Sequence, residues 1–293
     1  MSALAALMNA YVEAKALEQL EGSARTAIPG VHFYRASHGS PRQPFVYQSG
    51  IIIMAQGRKR IYLNGQQLDY GPGQYLVQGV PLPLECESHS DGNQPLLGIS
   101  IAVDAALLQD LVSQLQALKS CPAERPRDDC GLTADDLSAA MLDATQRLLN
   151  ALLSDSEAAI LGASIVRELI FRVLTGPKGH ILFELAQHDS HYARIAKVLV
   201  HIHRDYADTL SVEALAEQAA MSVSAFHRAF RQVTRESPLQ YLKKLRLSKA
   251  RELILAEGRR ANEAARMVGY SSPSQFSREF KRHFKQAPRS LSA

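Results

Sequence analysis

The fold is decided by two stretches, Ser224-Ala-Phe-His-Arg-Ala-Phe-Arg231 and Ser274-Gln-Phe-Ser-Arg-Glu-Phe-Lys281, which repeat the same pattern after 50 residues. On a helix of about 3.6 residues per turn, the two phenylalanines of each copy fall on one face. The serine, the arginine and the final basic residue fall on the opposite face. Each stretch therefore predicts an amphipathic helix that packs its Phe face on a core and can offer its polar face to base edges or phosphates.

The residues before each copy predict a second, shorter helix and a tight turn. Small residues fill 211–220 and 261–268, and alanine permits close approach between helices. Ser222 and Ser272 are suited to capping the N-terminus of the next helix. Gly269 can adopt the positive φ values that tight turns need and that other residues rarely take. Each copy is thus predicted to be a helix-turn-helix.

A third helix is predicted between the copies, beginning at Ser237-Pro238. It carries a rough apolar stripe with interleaved lysines and arginines. At 1.5 Å per residue, about 18 residues span roughly 27 Å, and with the flanking turns the two repeats could lie near one DNA turn (~34 Å) apart. One chain could then reach two successive major grooves.

At these residues the sequence resembles the AraC/XylS family of bacterial transcription regulators, from about Tyr192 to Pro288. The most specific motifs are those at 221–230, 237–241, 245–251 and 268–281. The family commonly has a glycine near Lys285 or Gln286, and we expect this departure to be tolerated. The resemblance implies a DNA-binding domain of two helix-turn-helix units joined by a long helix.

The resemblance also assigns the DNA contacts. The predicted base-reading residues are Ser224, His227, Arg228, Arg231, Ser274, Gln275, Ser277 and Arg278. The predicted phosphate contacts are Ser222, Ser272, Lys244, Lys281 and Arg282. Arginine suits guanine and glutamine suits adenine, whereas the serines are equally compatible with helix capping alone.

The charge distribution supports a polyanionic partner. The net charge is +4, but it is unevenly distributed. Residues from 194 onward include 19 Lys/Arg and 9 Asp/Glu, whereas the residues before 194 include 14 Lys/Arg and 20 Asp/Glu. A basic segment of this kind gains sequence-independent affinity for DNA by releasing counterions. We therefore expect double-stranded promoter or operator DNA as a partner.

The acidic part of the chain changes to short β-rich runs separated by turns. Asn64-Gly65 predicts a hairpin and Gly71-Pro72-Gly73 another turn. This stretch resembles the cupin-type N-terminal domain of one branch of the same family. The predicted fold class is α+β, divided into an N-terminal helix at 1–24, a cupin-like β-barrel at 25–103, a helical dimerisation or connecting region at 104–186, a linker at 187–191 and the double helix-turn-helix domain at 192–293.

The mouth of a barrel is the default position for a small-molecule site. The candidate effector-pocket residues are Tyr47, Met54, Tyr62, Tyr75, Leu84 and Cys86, for each of which core packing is the alternative. The His-x-His pair that metal-using cupins carry on one strand is absent from the β-rich stretch, so we expect no metal and no cofactor. Cys86 stays open as an electrophile or redox sensor, although no basic residue adjoins it.

Leucines at 108, 111, 115 and 118 and again at 137–153 form a helical seam. The resemblance implies an antiparallel homodimer contact there, and packing within the subunit is equally compatible. The histidines of His201-Ile-His203 point about 200° apart on a helix, which favours structural or surface-exposed positions. With no membrane-spanning run and no basic residue ahead of the first apolar stretch, we expect a cytoplasmic protein.

Taken together, these patterns predict a sequence-specific transcription regulator, an activator rather than a repressor, controlled by an unknown small-molecule effector and working with RNA polymerase. No GxSxG, P-loop, GxGxxG or HExxH motif occurs, so we do not expect an enzyme. Two alternatives stay open, a constitutive DNA-binding factor whose N-terminal domain only dimerises and, more remotely, a cupin-type enzyme.

Overall fold

The computed structural model describes residues 3–63, 65–118, 132–187 and 190–291. The chain divides into two compact units, the first comprising Met1–Arg42, Ser49–Gly79 and Cys86–His188, and the second Gln43–Gln48, Val80–Glu85 and Asp189–Ala293. Several sequence features lie outside the described residues: Asn64 of the predicted hairpin, Cys121, Cys130, the loop at 125–129, and residues 188–189 of the predicted linker.

The described residues form ten β-strands. They are β1 (Gly22–Arg25), β2 (Val31–Ala36), β3 (Ser40–Tyr47), β4 (Gly50–Gln56), β5 (Arg58–Leu63), β6 (Gln66–Tyr70), β7 (Gln74–Gln78), β8 (Leu82–His89), β9 (Leu96–Ile101) and β10 (Leu132–Asp136). They build a six-stranded sheet in the order β1-β2-β9-β4-β7-β10 and a four-stranded sheet in the order β3-β8-β5-β6. The predicted β domain is confirmed.

Five helices accompany these strands. They are α1 (Ala3–Ala14), α2 (Ala105–Ala117), α3 (Ala139–Leu152), α4 (Asp155–Thr175) and α5 (His180–Ala186). The region predicted to be helical at 104–186 also contains β10, which pairs antiparallel with β7. A run of Leu-Thr-Ala-Asp-Asp has little apolar alternation, so its strand conformation depends on pairing with that neighbouring edge.

One face of the six-stranded sheet packs on helices. Phe33, Ile53 and Ile99 lie opposite one another on adjacent strands, and all three are buried. The ring of Tyr11 from α1 lies 4.9 Å from that of Phe33, centroid to centroid. Of the leucine seam, Leu108, Leu111 and Leu115 are buried within the first unit, so they take part in packing within the subunit.

The second unit contains the remaining helices. They are α6 (His191–Arg204), α7 (Val212–Gln218), α8 (Val223–Thr234), α9 (Pro238–Glu257), α10 (Ala261–Met267), α11 (Pro273–Phe284) and the single 3-10 turn Pro288–Ser290. Helices α8 and α11 have 12 residues each, and the long helix α9 between the repeats has 20. Both predicted helix-turn-helix units and the helix that joins them are confirmed.

The two capping serines and the turn glycine have the roles that the sequence predicts. Ser222 Oγ accepts the Ala225 N–H and Ser272 Oγ accepts the Gln275 N–H, so both serines cap their helices. Gly269 has a φ of +82°, and a Cβ there would lie 2.2 Å from the carbonyl oxygen of Ala207. Only glycine fits that turn without displacing backbone.

Helix α11 ends in a conformation that glycine normally supplies. Lys285 follows the last turn with a φ of +60°, in the left-handed region. Lys285 is one of the two residues that stand near the glycine expected from the resemblance, and a non-glycine residue with this φ carries backbone strain.

The helices among the described residues are too short or too polar to span a membrane.

Candidate functional site

The exposed face of α8 carries the predicted base-reading residues of the first repeat. Phe226 and Phe230 are fully buried, with ring centroids 5.5 Å apart, and Phe230 meets the buried ring of Tyr241 edge-on at 5.5 Å. This aromatic packing fixes the rotation of α8 about its axis. The opposite face therefore presents its polar side chains to solvent, namely Ser224, His227, Arg228 and Arg231.

Helix α11 repeats the arrangement. Phe276 and Phe280 are fully buried with centroids 5.3 Å apart. They belong to a core that also holds Tyr270, Val268 and Ile254. The exposed side chains on the other face are Ser274, Gln275 and Arg278, and Ser277 is partly exposed.

Glu279 of α11 distinguishes the second repeat from the first, which has alanine at the matching position, 229. Its carboxylate accepts hydrogen bonds from Tyr270 Oη at 2.9 Å and Gln275 Nε2 at 3.3 Å, and pairs with Lys243 Nζ of α9 at 2.9 Å. Burial raises the pKa of Glu279, but these donors together outweigh it and hold the pKa below its ordinary value. The predicted reader Gln275 is thus oriented by an ion pair between α9 and α11.

The predicted phosphate contacts differ in their surroundings. Lys281 and Arg282 are exposed in the last turn of α11, while Ser222 and Ser272 cap the two recognition helices. Lys244 instead pairs with the buried carboxylate of Glu236. The assignment of Lys244 as a phosphate contact stays a prediction, and the ion pair with Glu236 gives the same side chain a structural role.

Arg246 is a structural residue that sequence reasoning missed. Its guanidinium donates to the carbonyl oxygens of Tyr206 at 2.6 Å, Asp208 at 2.7 Å and Gly269 at 3.4 Å. Burial lowers its pKa. Arg246 joins α9 to the turn before α11 and so helps to position the second recognition helix. The sequence alone does not distinguish it from the other lysines and arginines along α9.

His201 and His203, near the end of α6, have separate structural partners. His201 Nδ1 lies 2.6 Å from Gln218 Oε1, and His203 Nε2 lies 2.7 Å from the hydroxyl of Tyr241. Burial lowers the pKa of His203 to about 4, so it is neutral near pH 7. The contacts of both histidines agree with the structural positions that the sequence allows.

The second face of the six-stranded sheet carries partly exposed polar side chains in the first unit. Met54 lies there, opposite Gly98 and Tyr34 along the strand register. His32, Ser100 and Ile52 follow in the next row and keep partial exposure although they lie in the middle of a sheet. Small-molecule sites combine apolar side chains with a few polar groups, so this face is a candidate for such a site.

Lys59 from β5 reaches this surface. Its Nζ lies 3.7 Å from the centroid of the Tyr34 ring, a cation–π contact. Burial lowers the pKa of Lys59 to about 8, an effect that the nearby Cys86 opposes, and burial raises that of Tyr34 to about 12. Lys59 and Tyr34 were not among the candidates, since the run Arg-Lys-Arg at 58–60 does not show which side chain points inward.

The structure does not bring all six candidate pocket residues together. Tyr75 pairs with Ile53 on the helix-facing side of the sheet, where a Cβ on Gly176 would lie 3.6 Å from its hydroxyl. Tyr62 donates to Glu87 Oε2 at 2.8 Å and carries the Arg42 guanidinium 3.8 Å above its ring.

Of the other four candidates, Met54 and Cys86 lie near Tyr34 and Lys59. Tyr47 and Leu84 are buried in the second unit.

A two-sheet β domain in one chain with a double helix-turn-helix domain defines a class of two-domain regulators of transcription. Residues 27–181 match the family described as the AraC-type transcriptional regulator N-terminus, and residues 215–293 match a helix-turn-helix domain family. The chain belongs to the AraC family of transcriptional regulators.

Individual relatives resemble parts of the chain. The HTH-type transcriptional regulator AlkR of Acinetobacter baylyi is 37% identical over 98 residues, which cover 33% of this chain and 32% of AlkR. The HTH-type transcriptional activator RhaS of Escherichia coli is 33% identical over 99 residues, 34% of this chain and 36% of RhaS. The chain thus spans about a third of the length of these curated relatives.

Among solved structures, ToxT from Vibrio cholerae has a similar fold over 89% of this chain and 97% of its own, with a TM-score of 0.59 and 12% identity. A related ToxT structure contains a bound unsaturated fatty acid, with a TM-score of 0.57 and 9% identity.

Proposed function

We propose that the protein is a sequence-specific DNA-binding regulator of transcription, an activator that works with RNA polymerase in the cytoplasm. The observation that carries this proposal is the matched pair α8 and α11. Each has its phenylalanines buried and an arginine exposed at the matching position, Arg228 and Arg278. Exposed arginines on a recognition helix suit bidentate contact with guanine in the major groove.

The chain's own dimensions support reading of two grooves. Helix α9 has 20 residues, which at 1.5 Å per residue gives about 30 Å, close to one turn of DNA. The proposed base-reading residues are the eight named from the sequence. Of the proposed phosphate contacts, Lys281 and Arg282 are basic residues that make no ion pair among the described residues. No catalytic role is proposed for any residue.

The β domain is proposed to bind a small-molecule effector and to mediate a homodimer. Effector binding is supported by the partial exposure of Tyr34, His32 and Ser100 in the middle of the six-stranded sheet. Met54 and Cys86 lie beside them. An effector controls DNA binding only if it has different affinities for two states of the protein.

The test is binding of the full chain to the DNA upstream of its own coding sequence and to scrambled DNA of equal composition, over a salt series. Preference for the upstream DNA at every salt concentration, with a change when a small metabolite is added, supports the proposal. Equal affinity for both DNAs would contradict the regulator. A preference that no metabolite changes would favour the constitutive factor.

A further inference from the structure

The carboxylate of Glu279 is held by partners from two other elements of the second unit. Its Oε2 accepts a hydrogen bond of 2.9 Å from the hydroxyl of Tyr270 in the turn before α11, and its Oε1 lies 2.9 Å from Lys243 Nζ of α9. Only 13% of the Glu279 side chain is exposed. The position of this carboxylate is therefore set by α9 and by the turn, independently of the exposed face of α11.

Gln275 contacts the same carboxylate from that exposed face. Its backbone N–H donates to the capping oxygen of Ser272, which places Gln275 in the first turn of α11. Its side-chain Nε2 lies 3.3 Å from Glu279 Oε1. Residues four apart on a helix lie side by side, so this contact needs no distortion of the backbone. A side chain that can reach a base edge is thus bound to one that is fixed by the protein.

The chemistry of the two groups decides how the amide of Gln275 is oriented. An ionised carboxylate can only accept hydrogen bonds, and pairing with Lys243 favours the ionised form of Glu279. The amide therefore turns its NH2 group toward Glu279, because the opposite orientation would bring its carbonyl oxygen against a negative charge. Glu279 takes one of the two amide hydrogens. The other hydrogen and the carbonyl oxygen Oε1 are left to meet a base.

We propose that Glu279 determines the specificity of Gln275 for adenine in the major groove. Adenine presents a donor at N6 beside an acceptor at N7, which match Oε1 and the second N–H of Gln275. Guanine presents two acceptors, O6 and N7, so it requires an amide that turns its whole NH2 group to the base. The contact with Glu279 opposes that orientation. Glu279 is thus a positioning residue, since it acts on the base through Gln275.

The first repeat has no equivalent of this pair. Residues 225 and 229, which match Gln275 and Glu279, are both alanine. The two recognition helices therefore differ at this position, although their exposed arginines correspond. The proposal rests on the proposed function, because it names the base that one predicted reader recognises in the second repeat. A preference for adenine should accordingly occur in the DNA read by α11 without a counterpart at the matching place in the DNA read by α8.

The experiment measures the affinity of the full chain for the DNA that it selects from random sequences, with each of the four base pairs at the position that Gln275 reads. That position is located as the one whose preference is lost in Gln275→Ala. The test variants are Glu279→Ala, which copies the first repeat, and Glu279→Met, which keeps the length of the side chain without its oxygens. Tyr270→Phe is the matched control, because it removes the hydrogen bond to Oε2 and leaves Oε1 to Gln275 and Lys243.

The wild type should bind DNA with adenine at that position at least about tenfold more tightly than DNA with guanine. Both Glu279 variants should reduce this ratio to less than about threefold, because the amide can then take either orientation. Preferences at the other positions should stay as in the wild type. Tyr270→Phe should keep the ratio within about twofold of the wild-type ratio. If Glu279→Ala loses its cooperative thermal transition, Glu279→Met carries the comparison.

A purely structural ion pair between α9 and α11 gives a different result. Its loss would weaken binding to all four DNAs by the same factor, and that outcome would overturn the proposal. An unchanged ratio in both Glu279 variants would overturn it as well. So would a preference for guanine or thymine at the position that Gln275 reads, or a Gln275→Ala variant that keeps every preference of the wild type.

Failure of this inference can be told from failure of the proposed function. If the wild type distinguishes upstream from scrambled DNA but the Glu279 variants keep its preference for adenine, the regulator stands and the role of Glu279 is wrong. If the wild type binds both DNAs equally, the regulator is wrong and the inference falls with it.

Discussion

The ammonium group of Lys244 on α9 pairs with the carboxylate of Glu236, whose side chain is only 7% exposed. Burial raises the pKa of Glu236, and the hydrogen bond from Lys244 opposes that rise. Glu236 stands between the last turn of α8 and the first turn of α9. The ion pair therefore stabilises the junction between the first repeat and the long helix.

Replacing Lys244 should lower stability rather than act on DNA alone. Lys244→Met leaves the buried carboxylate without its cation, so we expect the free energy of unfolding to fall by about 1–3 kcal/mol at pH 7. Urea denaturation measures it. The double variant Lys244→Met/Glu236→Gln should recover part of the loss, because no buried charge is then unpaired. Full stability of Lys244→Met would show that the pair contributes nothing.

The turn in the second repeat should tolerate only glycine. Gly269→Ala forces a φ of +82° on alanine and places its Cβ 2.2 Å from the Ala207 carbonyl oxygen, so we expect a loss of more than about 2 kcal/mol in unfolding free energy. Gly258→Ala is the matched control. Gly258 has a φ of +64° with open space around its missing Cβ, and that variant should lose only about 1 kcal/mol. Equal losses of stability in Gly269→Ala and Gly258→Ala would show that the clash with Ala207 does not contribute.

The left-handed residue after α11 offers a stabilising substitution. Lys285→Gly relieves the strain at a φ of +60°, and after the entropy cost of glycine we expect a gain of about 0.5–1 kcal/mol. Lys285→Ala removes the charge without relieving the strain and should give no gain. The comparison is made by thermal or urea denaturation. A gain of the same size for both variants would mean that the charge, not the backbone, is responsible.

Acid should destabilise the second unit through its buried histidines. Burial lowers the pKa of both His203 and His283 to about 4, below the ordinary value of 6.5. Each is neutral when folded and binds its proton more readily when unfolded. The stability that depends on them is therefore fully present above pH 6.5 and is lost as pH falls toward 4.

The measurement is unfolding free energy from pH 7.5 to 4.5 for the wild type, His203→Gln and, as the control, His191→Gln at an exposed position. The wild type should lose stability more steeply than His203→Gln, and His191→Gln should follow the wild type. Parallel curves for all three proteins would contradict a buried neutral His203.

Much of the helical domain could be predicted because its signals are local. The phenylalanine spacing, the capping serines and Gly269 each determine a helix face, a helix start or a turn within a few residues. The roles of Lys244 and Arg246 could not be predicted, since their partners are Glu236, Tyr206 and Asp208, and a basic residue bound to buried groups looks in sequence like a basic residue in solvent.

The β domain was less predictable because alternation does not indicate which face of a strand points inward. Most of its strands follow apolar runs, but Tyr62 and Tyr75 lie away from the surface formed around Met54. The cation that reaches that surface, Lys59, lies in a charged triplet. Strand β10 becomes apparent only through its pairing with β7.

The central claim, that α8 and α11 read two separate groups of bases, is tested most directly by selecting preferred sites from random-sequence DNA. The selection uses the wild type, Arg228→Ala and Arg278→Ala, with Lys281→Ala as the control for a phosphate contact. We predict two preferred blocks about one helical turn apart. Each arginine variant should relax one block at a cost of about 1–3 kcal/mol, while Lys281→Ala weakens all sequences alike. A single block, or unchanged preferences in both arginine variants, would contradict the account.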